Sequence, residues 1–361
     1  MRTNNSNILG FVIASILGAA VLPCAAQGPK YSIQDIGGLP GGSSVGRALG
    51  PAGETVGHSG FNHAEGEAFL WLPGQTIQSL GKLPGGDDSK AFGINALGQV
   101  VGYSNTRESM RAFVWTRAGG MKDIGALPGD VSSKAFGINN AGQVVGSSSG
   151  RSGIRAFIWT SKNGMKSLGT LPGSHESEAI AINSAGQAIG RFSDASGMYA
   201  FLWTAKNGMQ SLGTLPGDSS SRALAINDSG QVVGASTGTG RTRAFLYTPN
   251  EGMQDLGSLP GGEYSEADAL SDAGQVVGAS GSAMGTRAFL WTHEDGIQDL
   301  NTLIPSGSGV ILAGAFGINE RGQITAFGDI HHDLEHDRKV VFDTGKHSGP
   351  TRVFLLTPLM H

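Results

Sequence analysis

The chain has 361 residues and a net charge of −4, and 59 of its residues are glycine, about twice the share of roughly 7% in an average protein. With 15% charged residues, no basic surplus and a single cysteine, the composition argues against a nucleic-acid binder, a collagen-like fibre and a disulfide-held scaffold. Hydrophobic residues at 39%, including 15 Phe and 5 Trp, are too many for a disordered polymer.

The first segment reads as an address. Arg2 precedes a polar stretch, an apolar run covers Ile8 to Leu22, and small residues follow at Ala25 and Ala26. This is the pattern of a secretory signal peptide over residues 1–26, cleaved after Ala26. The run of about 15 apolar residues is short of the roughly 20 that a spanning helix needs, so no membrane span is expected. Cys24 could be a lipidation site, but Pro23 before it argues against that. The expected location is secreted or periplasmic.

Residues 27–361 are built from one repeated unit. The Phe of an Ala-Phe pair recurs every 44 residues at Phe69, Phe113, Phe157, Phe201, Phe245 and Phe289. Trp71, Trp115, Trp159, Trp203 and Trp291 keep the same step, with Tyr247 in the remaining slot. Leu39, Leu83, Leu127, Leu171, Leu215, Leu259 and Leu303 mark a second slot, mostly as Leu-Pro-Gly. Gln99, Gln143, Gln187, Gln231 and Gln275 mark a third, in Gly-Gln-Val-Val-Gly or a close variant.

Within one copy, Ala91–Asn95, Gln99–Gly102, Arg111–Thr116 and Met121–Gly125 read as four short strands, rich in β-formers and separated by Gly and Pro turns. Four antiparallel strands in about 44 residues is the content of a propeller blade. The mature chain starts on a fourth strand, Tyr31–Gly37, and ends on a third, Arg352–Thr357, so paired termini complete a blade and hide the free edges. The predicted fold is therefore all-β: a seven-bladed β-propeller closed by pairing of the N- and C-terminal strands. Two places depart from the pattern, an irregular Gly46–Gly57 and a His/Asp-rich insertion at 327–351.

Segments such as Arg287–Thr292, Met253–Gly262 and Ala225–Gly234 resemble the HAF repeat, a family of probable extracellular repeat proteins. The resemblance extends over nearly all of residues 31–361. It implies an exported or surface protein and carries no activity and no catalytic residues.

Several motifs are absorbed by the repeat. Gly146–Gly150 and Gly234–Gly238 fit Gly-x-Ser-x-Gly, but they follow Val-Val strands in equivalent copies and no helix follows them. The Met slots at Met121, Met165, Met209 and Met253 read as packing. Function is expected where copies differ, between second and third strands, on the face shared with the Leu-Pro-Gly loops. The off-pattern aromatics Phe61, Tyr103, Phe192, Tyr199 and Tyr264 fall there or beside a Leu-Pro-Gly loop, as candidates to stack on sugar rings. Asp87, Asp88, Asp130, Glu176 and Asp218 are nearby hydroxyl acceptors.

In the insertion, His331, His332 and His336 stand among Asp333, Glu335 and Asp337, a donor set suited to zinc, nickel or copper at a spacing of no established site. The reading is an exported binding module that needs no cofactor, presenting one loop face to a glycan or protein ligand. The alternative is a hydrolase or lyase using a divalent metal at that insertion.

Overall fold

The computed structural model describes residues 30–39, 43–60, 66–330 and 352–359. The described residues form seven four-stranded antiparallel sheets, the blades of a propeller. Blades one to six each run outward through four consecutive strands, from Ser43–Leu49, Thr55–Gly60, Gly66–Trp71 and Gln78–Gly81 in the first blade to Ser265–Leu270, Val276–Ser282, Gly285–Thr292 and Gly296–Asp299 in the sixth. The seventh blade combines Val310–Ile318, Ile324–Ile330 and Arg352–Pro358 with the N-terminal strand Tyr31–Gly37, whose Tyr31 pairs with Pro358 and Gln34 with Leu355. The closure read from the termini is the one observed. The stretch Gly46–Gly57, irregular as sequence, is regular as structure: Val45 faces His58 and Leu49 faces Thr55 across the first two strands of blade one.

First strands touch those of both neighbouring blades, the first blade meeting the seventh, and so surround the axis. The Ala-Phe phenylalanines Phe69, Phe113, Phe157, Phe201, Phe245 and Phe289 are fully buried between blades, and Phe354 takes that place in the seventh. Phe113 packs with Val56 and Ala68 of the preceding sheet and with Val100 and Ala91 of its own, and Phe157, Phe201, Phe245 and Phe289 sit in equivalent clusters. The Gly that ends Gln-Val-Val-Gly allows this spacing. A Cβ on Gly102 would lie 1.9 Å from the Lys90 carbonyl oxygen, at the bulge between Ala91 and Gly93.

Polar repeat positions tie one blade to the next. Ser89, buried, accepts from the Ala68 N–H at 2.9 Å and donates to the Gly81 carbonyl at 2.8 Å, both in the preceding blade. Ser133, Ser221 and Ser265 repeat both bonds. At the other end of the first strand, Asn95 Nδ2 donates to the Asn139 carbonyl at 3.0 Å and to Gln99 Oε1 at 2.8 Å, and its Oδ1 accepts from the Gln99 N–H. Asn139, Asn183 and Asn227 pass the bond on round the ring, and Asn319 gives it to the Gly50 carbonyl at 3.1 Å, joining the last blade to the first. The Asn and Gln slots of the repeat are therefore structural.

Replacing Asn139 by Ala strands the Gln143 N–H in its own blade and the Asn183 carbonyl in the next, and is expected to lower stability by about 1–3 kcal/mol. Phe157→Ala is expected to cost about 3–5 kcal/mol, through a cavity between blades. Urea unfolding with an unchanged slope checks both values.

Candidate functional site

Along each first strand, buried side chains that face the neighbouring blade alternate with partly exposed ones that face the axis: Ser89 and Ala91 against Lys90, Phe92 and Ile94. The seven first strands enclose an axial cavity of about 420 Å³. Its middle tier is one residue per blade: Arg47, Phe92, Phe136, Ile180, Leu224, Asp268 and Phe316. Two residues earlier, toward the Leu-Pro-Gly face, the same strands carry Val45, Lys90, Lys134, Glu178, Arg222, Glu266 and Gly314. The position between the tiers is Ala91, Ala135, Ala179, Ala223, Ala267 and Ala315 in six of the seven copies, with Gly46 in the first. The copies thus agree where blades pack and at the last axial tier, Leu49, Ile94, Ile138, Ile182, Ile226 and Ile318, and differ at the two axial tiers nearer the Leu-Pro-Gly face.

The axial residues divide into sectors. Blades seven, one, two and three form a cationic and aromatic one. The Arg47 guanidinium sits between two rings, with its carbon 5.8 Å from the Phe92 centroid and 5.9 Å from that of Phe316. Phe92 stacks on Tyr103 at 5.7 Å and meets Phe136 edge-on at 5.3 Å, while Phe316 stacks on Phe327 at 4.6 Å. The ammonium groups of Lys90 and Lys134 lie 6.0 Å and 5.3 Å from the Tyr103 centroid. Burial, with the charge of Asp88, pushes the Tyr103 phenol up to about 12, against the opposing pull of Arg47.

Blades four to six are more acidic and largely self-paired. Glu178 pairs with Arg191 and Glu266 with Arg222, each at 2.8 Å, and the Tyr264 hydroxyl donates to Glu266 at 2.8 Å. Burial, then the charge of Glu266, holds the Asp268 carboxyl well above the usual carboxylate range, although Arg222 and Arg47 pull it down. Burial raises the Tyr264 phenol as well, and lowers the Arg47 guanidinium from its ordinary value.

Of the sequence candidates, Tyr103, on the second strand of blade two, stacks on the axial Phe92, and Tyr264, just before the first strand of blade six, donates to the axial Glu266. Phe192 and Tyr199 instead pair across strands Ala188–Asp194 and Gly197–Thr204 with ring centroids 5.7 Å apart, and Phe192 is buried in an inter-blade core, so its ring is occupied by packing. These positions lie in strands rather than in loops, because the second and third strands extend to the hairpin. Phe61, His331, His332 and His336 lie outside the described residues, and Phe327–Ile330, the start of the 327–351 insertion, continue a strand. Among the described residues no group of three His, Cys, Asp or Glu side chains is placed to hold a metal.

Three of the five acids named with the aromatics serve the scaffold. Asp88 accepts from the Gly66 N–H, Asp130 binds Arg155 and Ser148, and Asp218 binds Arg243. Ser148 and Ser236, the centres of the Gly-x-Ser-x-Gly matches, are fully buried and accept from the Leu127 and Leu215 N–H groups. A further hollow of about 450 Å³ lies beside Arg241, Arg243, Asp255 and Glu263, but Arg243 is already held by Asp218 and Asp255.

Sequence reasoning missed Arg47 and Asp268. The signal for them was present: aligned on Phe92, five of seven copies have an apolar residue and these two do not. An unfolded aspartate ionises near about 3.9 and Asp268 ionises higher, so the stability held by its neutral carboxyl is complete below that value and falls as pH rises through the folded one. Asp268→Asn is therefore expected to melt higher than wild type at pH 7, with the gap closing toward pH 4 in a calorimetric series.

Residues 128–344 match the model of a family described as protein of unknown function, DUF3466. No curated protein matches the chain by sequence. Among solved structures it is similar to a catalytically inactive virginiamycin B lyase from Staphylococcus aureus with quinupristin, at 13% identity and a TM-score of 0.55 over 91% of this chain and 100% of that one. It is also similar to oligogalacturonate lyase in complex with manganese, at 11% identity and 0.54 over 87% and 88%. A third is the β-propeller domain of the Trilobed protease from Pyrococcus furiosus, at 10% and 0.51 over 80% and 90%. At these identities the likeness is one of fold.

Proposed function

We propose that this chain, which belongs to the DUF3466 family, is an exported binding module whose ligand enters the axial cavity from the Leu-Pro-Gly face. One observation carries the reading: seven copies that keep their packing residues differ at the two axial tiers nearer the Leu-Pro-Gly face, from Arg47 and Phe92 to Leu224 and Asp268. Packing alone would let those positions stay as alike as the alanines beside them. A cavity of about 420 Å³, with apolar walls and a few polar groups, suits a glycan unit or the side chains of a protein loop. Export is supported by the apolar run Ile8–Leu22 behind Arg2 and by the resemblance to the HAF repeat.

The test is a thermal-shift screen of oligosaccharides and peptides on the purified protein. A ligand of the folded state adds about 2.7 kcal/mol at a hundredfold excess over its dissociation constant. Leu224→Trp, which fills the axis from a partly exposed position, is expected to abolish the shift and leave the fold intact. A shift that survives Leu224→Trp and is lost on Asp87→Ala, at the loop rim, overturns the axial site. EDTA is expected to leave ligand affinity unchanged; a loss of affinity would transfer the function to a metal, as in the alternative reading of His331, His332 and His336.

A further inference from the structure

Several arginines of this protein sit against acids. Arg155, Arg191, Arg222, Arg243 and Arg352 each have a carboxylate oxygen at 2.5–2.9 Å. Arg47 and Lys134 differ: among the described residues no carboxylate oxygen lies within 4 Å of either. Both lie against aromatic rings instead, Arg47 by Phe92 and Phe316 in the cavity lining and Lys134, one tier nearer the Leu-Pro-Gly face, over Tyr103. Arg47 is exposed to the cavity and Lys134 partly so, which leaves both open to an anion that enters along the axis. Rings lie within 6 Å of the guanidinium on two neighbouring blades, and a guanidinium without an acid partner takes a carboxylate bidentately. Beside it, Phe92, Phe136 and Tyr103 are partly exposed and present ring surface to the axis. On the acidic side, Tyr264, Glu266 and Asp268 offer hydrogen-bonding oxygens.

We propose that the axial cavity takes a carboxylate borne on a ring, its anionic group on Arg47 and Lys134 and its ring face on Phe92, Tyr103 and Phe136. This rests on the axial binding reading above and names its ligand class. An acidic sugar and an aromatic acid share this chemistry. The oxygens opposite give the sugar hydroxyl partners, which the aromatic acid does not need.

The experiment is calorimetric titration of the purified protein, at low salt, with two probe pairs: a uronic-acid disaccharide and its methyl ester, and cinnamate and its amide. At least one acid is expected to bind tenfold or more tightly than its neutral partner. That preference is expected to fall to near unity in Arg47→Gln and in Lys134→Met, to return partly in Arg47→Lys, and to persist in Lys122→Met on an outer strand. Unchanged melting of each variant without ligand shows that it folds. Preference for the disaccharide identifies an acidic sugar as the source, and preference for cinnamate an aromatic acid. Equal binding of acid and neutral partner, survival of the preference in Arg47→Gln, or no binding of either acid overturns the proposal. A neutral ligand that binds wild type and is lost in Leu224→Trp would overturn this ligand class and leave the axial site standing.

Discussion

The ring depends on hydrogen bonds that no repeat completes by itself. The Ala68 N–H in one blade is satisfied by Ser89 of the next, and the Asn139 carbonyl in one blade by Asn95 of the one before. A buried backbone group left without such a partner costs about 1–3 kcal/mol, so a lone blade has an unfinished flank on each side. Stacking blades satisfies those flanks in turn. An open stack would still leave two, and it would need polar caps at its ends. Closing the circle removes them: Asn319 reaches the Gly50 carbonyl, and Tyr31–Gly37 pairs with Arg352–Pro358.

That constraint sorts the residues. Positions that meet a neighbouring blade keep one identity, because each must fit the same partner in every copy. Buried Ser, Ala and Phe recur for this reason, and the serines that mimic hydrolase nucleophiles are fixed as acceptors for the Leu-Pro-Gly backbone. Axial positions in the two tiers nearer the Leu-Pro-Gly face meet no repeat partner and are free to differ. Seven strands then converge on one cavity, so differences spread over some 44-residue steps along the chain become a single asymmetric lining. Its rings, with Arg47 and Lys134, lie on one side and its largely self-paired acids on the other.

How much of the site was legible varies with the residue. Tyr103 and Tyr264 break the repeat in composition, which marks them without a structure. Phe192 and Tyr199 break it in the same way, yet Phe192 takes the slot that holds buried Ser104 in blade two, and the two rings pack on each other. Departure from the pattern therefore signals change without saying whether the new residue faces the axis or the core. Arg47 was hidden because its segment, Gly46–Gly57, aligns poorly as sequence while pairing regularly as strands. Asp268 was hidden because one acid in a strand of Glu, Ala and Asp is unremarkable until its neighbours across the axis are known.

From sequence alone came the blade length, the blade number, the strand order, the shared seventh blade and the inter-blade core, since all of these follow from a 44-residue period and from where the chain enters it. Those features are local or strictly periodic, and periodic sterics and turn chemistry specify them. The tertiary structure decided which side chains converge. Arg47, Phe92, Asp268 and Phe316 are as many as 269 positions apart in the chain and meet only when the ring closes. Their placement depends on which alternate residue of each inner strand points to the axis, and a bulge beside the Ala of each first strand sets that.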